Sequence, residues 1–274
     1  MTALGDAARE IRPGAPIVVL LHGYRYDPAR QNANPHTSLY AVQPEPGLPR
    51  RQMSWLEALG FLDQPDDPGL CLAVGWSARC KLADAYDHAA QVGTALADLL
   101  NAVAALMPGH PIKLMAHSLG ARVALSCLRS LKRPVVKQAI LLAPAEFTAP
   151  AQRALRNPAA QATEILQISP LENWLFDALL VRSLRHKETG TALGQRAPDA
   201  PNWISLSLGT DGELAQLAAL GHRVAPRKAR VCHWSAYLRG GLMEFYADLL
   251  SGKDVPVFQT FARSRMADGS VLAD

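Results

Sequence analysis

The sequence predicts an α/β fold: a mostly parallel sheet with helices on both faces and no large cap domain. Three observations lead there. Short apolar runs such as Pro16 to Leu21 are rich in Val, Ile and Leu and show no polar alternation, the pattern of strands buried on both faces. Between them lie longer stretches with apolar residues three and four apart, which is helical spacing, and strand and helix signals alternate along the chain. The chain has 274 residues, 49% hydrophobic and 19% charged, which suits a sizeable core and argues against disorder. With no internal repeat and no linker, residues 1–274 read as a single domain.

In order, the run from Pro16 to Leu21 is the first strand, closed by His22-Gly23. Residues 24–51 carry Pro28, Pro35, Pro44, Pro46 and Pro49 among Asn, Gln and Arg, and read as a long irregular loop. A short helix from Gln52 to Leu59 and a turn through Pro65 and Pro68 lead into a buried strand, Leu70 to Trp76. Lys81 to Met107 is a long amphipathic helix, with Ala85, Ala89, Val92, Leu96, Leu99 and Val103 on one stripe, stopped by Pro108-Gly109. Next come a strand from Ile112 to Ala116 and a helix from Leu119 to Leu131, with Ser118 at the joint. A strand from Val136 to Ala143, a short helix from Ala149 to Arg156, a strand from Glu164 to Ile168 and a helix from Asn173 to Leu184 follow. A polar segment, 185–201, leads to the strand Trp203 to Leu208. Helices from Asp211 to Leu220 and from Gly241 to Leu250 finish the pattern, with a basic loop between them and a tail from Asp254.

The net charge is +4 and the pI about 9.0. The basic residues gather at Arg182, Arg185 and Lys187 and at Arg223, Arg227, Lys228 and Arg230 without interleaved aromatics, which argues for solvated faces and against a nucleic-acid partner. Cys71, Cys80, Cys127 and Cys232 include no C-x-x-C pair, and two lie inside predicted core elements, so they read as buried reduced thiols. Met1 to Ala15 lacks the apolar core of a signal peptide, and no uninterrupted apolar stretch reaches the length of a membrane span, so a cytoplasmic location is expected.

The chemistry centres on Ser118. A strand that turns at once into a helix cramps the backbone at the joint, and small residues on either side, here Ala116 and Gly120, let the two elements pass. Such a turn lifts the hydroxyl out of the fold beside helix N–H groups. The pattern resembles the G-x-S-x-G turn of the α/β-hydrolase superfamily, with alanine for the first glycine. That superfamily orders its residues serine, acid, histidine. His233, shortly before the last helix, is then the expected base, while His222, in a basic stretch, is expected at the surface. The acid is expected after the strand Glu164 to Ile168, where Glu172 is favoured over Asp177; Asp211, a natural helix N-cap, is a third choice. The backbone N–H groups of Leu119 and of Tyr24, in the turn after the first strand, are the expected oxyanion donors, with His22 bracing that turn. His117 is expected to point into the fold. No cofactor and no metal is implied, since His22, His36 and His117 have no ligand spacing.

More narrowly, the chain resembles small bacterial esterase-like hydrolases with L-H-G-[FY], A-H-S-L-G-A-R-V and H-W-S-x-Y, here Leu21 to Tyr24, Ala116 to Val123 and His233 to Tyr237. The resemblance implies a segment E-N-D-x-F-D at the acid turn; here it is Glu172 to Asp177, with Trp174 in place of the middle aspartate. It also implies a serine hydrolase for a small or medium carboxylic ester or thioester, in a pocket shaped by residues 24–51 and 185–201. An acyltransferase with the same residues, or a hydrolase fold kept as an impaired binding or scaffold protein, are the alternatives.

Overall fold

Five consecutive apolar residues leave Ile17–Leu21 (β1) no polar face, and all five are buried. In the computed structural model, which describes residues 5–6, 9–43, 53–62, 69–253 and 255–261, β1 lies between Leu70–Val74 (β2) and Ile112–His117 (β3). Val136–Leu142 (β4), Glu164–Ile168 (β5) and Trp203–Leu206 (β6) extend the sheet beyond β3. The order is β2-β1-β3-β4-β5-β6 and every pairing is parallel. The expected α/β architecture is what the chain adopts, with no large cap domain.

Helices among the described residues include Trp55–Ala58 (α1), Leu82–Leu106 (α2), Gly120–Ser130 (α3), Thr148–Ala154 (α4), Pro158–Gln161 (α5), Trp174–Leu184 (α6), Asp211–Ala219 (α7), Ser235–Leu238 (α8) and Leu242–Ser251 (α9). Strand residues alternate between two cores, as a pleated strand requires. Ile17, Val19 and Leu21 face α2, α3 and α4; Val18 and Leu20 face α1, α8 and α9. The short helices α5 and α8 fall outside the predicted elements: each is a single turn, too brief to show a period.

By length and composition α2, with a mean hydropathy of 1.4, could cross a membrane. In this fold it lies against α3, burying Ala85, Ala89, Leu96, Leu100 and Val103. A Cβ at Gly93 would fall 2.4 Å from the Val123 carbonyl oxygen, so that glycine sets how closely the two helices approach. The expected irregular loop after β1 is more ordered than its composition implies. It makes 3₁₀ turns at Gln31–Ala33 and Pro35–Thr37 and buries Leu39, Tyr40 and Ala41 under the sheet. Residues 44–51 of that loop, Gln52 of the expected helix, the expected turn through Pro65 and Pro68, and the tail beyond Phe261 lie outside the described residues.

Non-glycine residues with left-handed backbone are Arg25 (φ 76°), Ser118 (φ 55°), Ala143 (φ 42°) and Leu208 (φ 53°). All four follow the C-terminal ends of strands: β1, β3, β4 and β6.

Candidate functional site

β3 ends at His117 and α3 begins at Gly120, so the chain reverses character across Ser118-Leu119. Ser118 takes the left-handed conformation, which costs an L-residue energy and persists only where its surroundings fix it. They do so here. The Ser118 N–H donates to the Leu142 carbonyl at 2.9 Å, and the Ser118 carbonyl accepts from Ala145 at 2.9 Å and from Ala121 at 3.0 Å. A Cβ at Gly120 would lie 2.4 Å from the Leu21 carbonyl oxygen, and one at Gly23 would lie 2.7 Å from the Ser118 Cβ. Both glycines are required by close approach.

The Ser118 hydroxyl is 2.8 Å from His233 Nε2. His233 Nδ1 is 2.7 Å from Asn173 Oδ1, and Asn173 Nδ2 donates to Asp177 Oδ1 at 3.0 Å. One proton arrangement satisfies the whole row. Asn173 gives its NH₂ to the carboxylate, so its oxygen faces His233 and accepts from Nδ1–H, leaving Nε2 to accept from the Ser118 hydroxyl. Burial, reinforced by the neighbouring His117, holds the His233 pKa well below that of a free imidazole, so the ring is neutral. It is stacked on Phe176 with centroids 4.6 Å apart and packs on His117 at 4.7 Å.

The acid turn departs from expectation. Glu172, the favoured acid, does not reach His233: its buried carboxylate lies 3.8 Å from the buried Arg239 guanidinium. Arg239 also donates to the carbonyls of Leu208 and Ala225, both at 3.0 Å. The second choice, Asp177, touches Asn173 rather than the imidazole; burial raises its carboxyl pKa to about 7, against the opposing pull of the Asn173 hydrogen bond. The third, Asp211, is an exposed first-turn residue of α7; the N-cap is Thr210, whose side chain accepts from the Glu213 N–H. Asn173 escaped sequence reasoning because an amide carries no ionisable signal. Three polar residues of one turn, 172, 173 and 177, compete for one imidazole, and spacing does not say which of them faces it.

Of the other histidines, His22 is fully buried and braces the turn after β1. Its Nε2 accepts from the Trp76 N–H at 3.0 Å, its Nδ1 faces the Gly23 carbonyl at 2.9 Å, and its ring stacks on Trp76. Desolvation lowers its pKa to about 4, consistent with an imidazole that accepts at Nε2. His117 does point into the fold, against Tyr237 and Trp55, and its Nε2 donates to the His233 carbonyl at 3.3 Å. His222 is not at the surface: it is buried against Phe245, 3.8 Å from Asp248. Of the four cysteines expected to be buried only Cys127 is; Cys71 and Cys232 are half-buried and Cys80 is exposed, and all four are free thiols.

Beneath the serine, Arg122 of α3 is tied to the residues after β4. It donates to Glu146 at 2.8 Å and lies 3.4 Å over the Tyr86 ring, while the Tyr86 hydroxyl donates to the other Glu146 oxygen at 2.5 Å. The Phe147 N–H also donates to Glu146, at 2.7 Å. This buried network holds the start of α3 in place.

A cavity of about 420 Å³ opens over Ser118. Tyr24, Leu119, Phe176, Leu180, Trp234 and Tyr237 contribute to its mostly apolar lining. The N–H groups of Tyr24 and Leu119 donate to none of the loop carbonyls around them. Of the two loops expected to shape this pocket, Tyr24, Arg25 and Tyr26 contribute among the described residues; α6 takes the place assigned to residues 185–201. The reason is that residues 192–194 turn under α6: a Cβ at Gly194 would fall 2.2 Å from Asp177 Oδ2. Among the described residues no group of three or more His, Cys, Asp or Glu side chains is placed to hold a metal ion.

A comparison with curated proteins finds no match to the chain. A family model described as "Protein of unknown function (DUF726)" matches residues 81–157, from the start of α2 through α4; the match includes Ser118 and ends before Asn173 and His233.

Proposed function

We propose that the protein is a serine hydrolase of the α/β-hydrolase type that cleaves a small or medium carboxylic ester or thioester through an acyl-enzyme on Ser118. The observation that carries this reading is the 2.8 Å contact between a left-handed Ser118 and a neutral, half-buried His233. Ser118 Oγ attacks the acyl carbon while His233 Nε2 takes its proton. The imidazolium then gives that proton to the departing alcohol or thiol, leaving the acyl group on the serine. Water enters, gives a proton to Nε2 and attacks the acyl carbon; as the carboxylic acid leaves, the imidazolium returns that proton to Ser118 Oγ. Asn173 holds the tautomer through Nδ1–H, as an asparagine does in cysteine–histidine–asparagine sites, and Asp177 fixes the amide from behind. The N–H groups of Leu119 and Tyr24 are the donors for the developing oxyanion, each worth about 10²–10³-fold by comparison with other hydrolases.

The reading is tested with a fluorophosphonate probe. Intact protein is expected to be labelled once, at Ser118, and Ser118→Ala protein not at all. Failure to label folded protein under conditions that label a control esterase sinks the proposal. Turnover of soluble esters in water, against turnover only with an added alcohol or thiol, separates hydrolysis from acyl transfer.

A further inference from the structure

Large apolar side chains left in solvent are concentrated beside the cavity mouth. Trp174 is 57% exposed, and Leu171, Leu175, Leu179 and Val231 are exposed with it. Trp174, Leu175 and Leu179 share α6, Leu171 lies in the turn that leads into it, and Val231 adjoins Cys232, whose N–H donates to the Glu172 carbonyl at 2.9 Å. The patch is continuous with the site, because Leu179 and its helix neighbour Phe176 line the cavity. Contiguous exposed apolar surface of this kind marks a contact face rather than chance.

Charge identifies the occupant. Arg182 and Arg185 continue the exposed face of α6 toward its C-terminus, and Arg227, Lys228 and Arg230 are exposed on the loop that carries Val231. None of the five is in an ion pair among the described residues, whereas Lys187 and Arg153 nearby are paired with Asp87 and Glu188. A second copy meeting this face across a two-fold axis would bring like charges together. An anionic bilayer answers both parts: tryptophan and leucine enter the headgroup boundary while arginine and lysine meet lipid phosphates and carboxylates.

We propose that this face of α6, with the 227–231 loop, docks on anionic membrane surfaces and sets the cavity mouth at the lipid boundary. Docking itself is independent of the hydrolase reading. The further consequence, that the acyl chains reaching Ser118 come from membrane-partitioned esters, rests on that reading and narrows its small or medium esters to those that enter a bilayer.

The test is co-sedimentation of the full chain with phosphatidylcholine vesicles, with and without phosphatidylserine. Binding is expected to the phosphatidylserine vesicles and to weaken with salt. Trp174→Ser/Leu175→Ser should abolish it, and Arg182→Glu/Arg185→Glu should reduce partitioning on the order of tenfold or more. These exposed positions should leave the thermal midpoint near wild type. Any of four results overturns the proposal: no sedimentation with phosphatidylserine vesicles, equal binding to phosphatidylcholine alone, binding undiminished in both variants, or a dimer that Trp174→Ser/Leu175→Ser disperses. Fluorophosphonate labelling is read on the same samples. Labelling without vesicle binding refutes the docking face alone, and vesicle binding without labelling refutes the hydrolase alone.

Discussion

Replacing Asn173 with alanine removes two hydrogen bonds at once. One is the 2.7 Å contact that fixes His233 Nδ1, and the other is the 3.0 Å donation to Asp177. Asn173 and Asp177 are both buried, so water does not replace either partner freely. Leaving a buried carboxyl without its donor costs about 1–3 kcal/mol of stability. The effect on rate is larger. An imidazole without its Nδ1 acceptor no longer holds Nε2 free for the serine proton, and loss of the correct tautomer in related sites costs about 10⁴-fold. Asn173→Ala is therefore expected to lower kcat by about 10²–10⁴-fold with little change in KM. Asn173→Asp keeps an acceptor at Nδ1 but sets a second carboxyl against Asp177; the pair shares a proton and activity stays within about tenfold of wild type. The assay is the rate of fluorophosphonate labelling together with steady-state turnover of a soluble ester. Labelling and turnover of folded Asn173→Ala within about threefold of wild type would refute the role given to the amide.

Asp177→Asn should make the protein more stable at neutral and alkaline pH. A carboxyl held near 7 in the fold and near 4 in the unfolded chain takes up a proton on folding between those values. Stability contributed by the wild-type group is thus present at about pH 4 and lost as pH rises toward 7, and each tenfold in ionisation is about 1.4 kcal/mol. Thermal midpoints at acid and alkaline pH should converge in the variant; an unchanged pH dependence contradicts the assignment. Glu172→Ala should lower stability by roughly 3–5 kcal/mol in chemical denaturation, because it leaves the buried Arg239 without its carboxylate. A large loss of kcat in folded Glu172→Ala, with stability unchanged, would instead restore Glu172 as His233's partner. Gly120→Ala should destabilise the fold by at least about 1–3 kcal/mol, since its Cβ has no room beside the Leu21 carbonyl; a wild-type melting curve would show that α3 can shift.

Much of the sheet could be read because inner strands such as Ile17–Leu21 are buried on both faces and so carry an unbroken apolar signature, whereas the edge strand β2, expected to be buried, is only half-buried. Ser118 was legible for a related reason: close passage of β3 and α3 demands small residues, and small residues are visible in a sequence. The surroundings of His233 were less so. Which of Glu172, Asn173 and Asp177 faces the imidazole depends on a 3₁₀ turn, Leu171–Asn173, that rotates each side chain differently. Glu172 was claimed by Arg239, a partner supplied from the junction of α8 and α9 that no local pattern announces. His222 misled for the opposite reason. Its sequence neighbours are basic, but Phe245 and Asp248 of α9 cover it.

The four left-handed non-glycine residues all sit on one rim of the sheet. That rim and the opposite one are therefore unequal substrates for evolution and for engineering. Around Leu131–Val135, Met107–Pro111 and Ala200–Asn202, where chains enter the strands, no such non-glycine conformation occurs, and insertions there spare the Ser118 geometry. Where the chain leaves β1, β3, β4 and β6, a change in loop length must preserve a specific dihedral. Circular permutants opened at the entry rim should fold and label, and those opened at the exit rim should not, so the map of tolerated breaks is itself a record of where this protein stores its conformational energy.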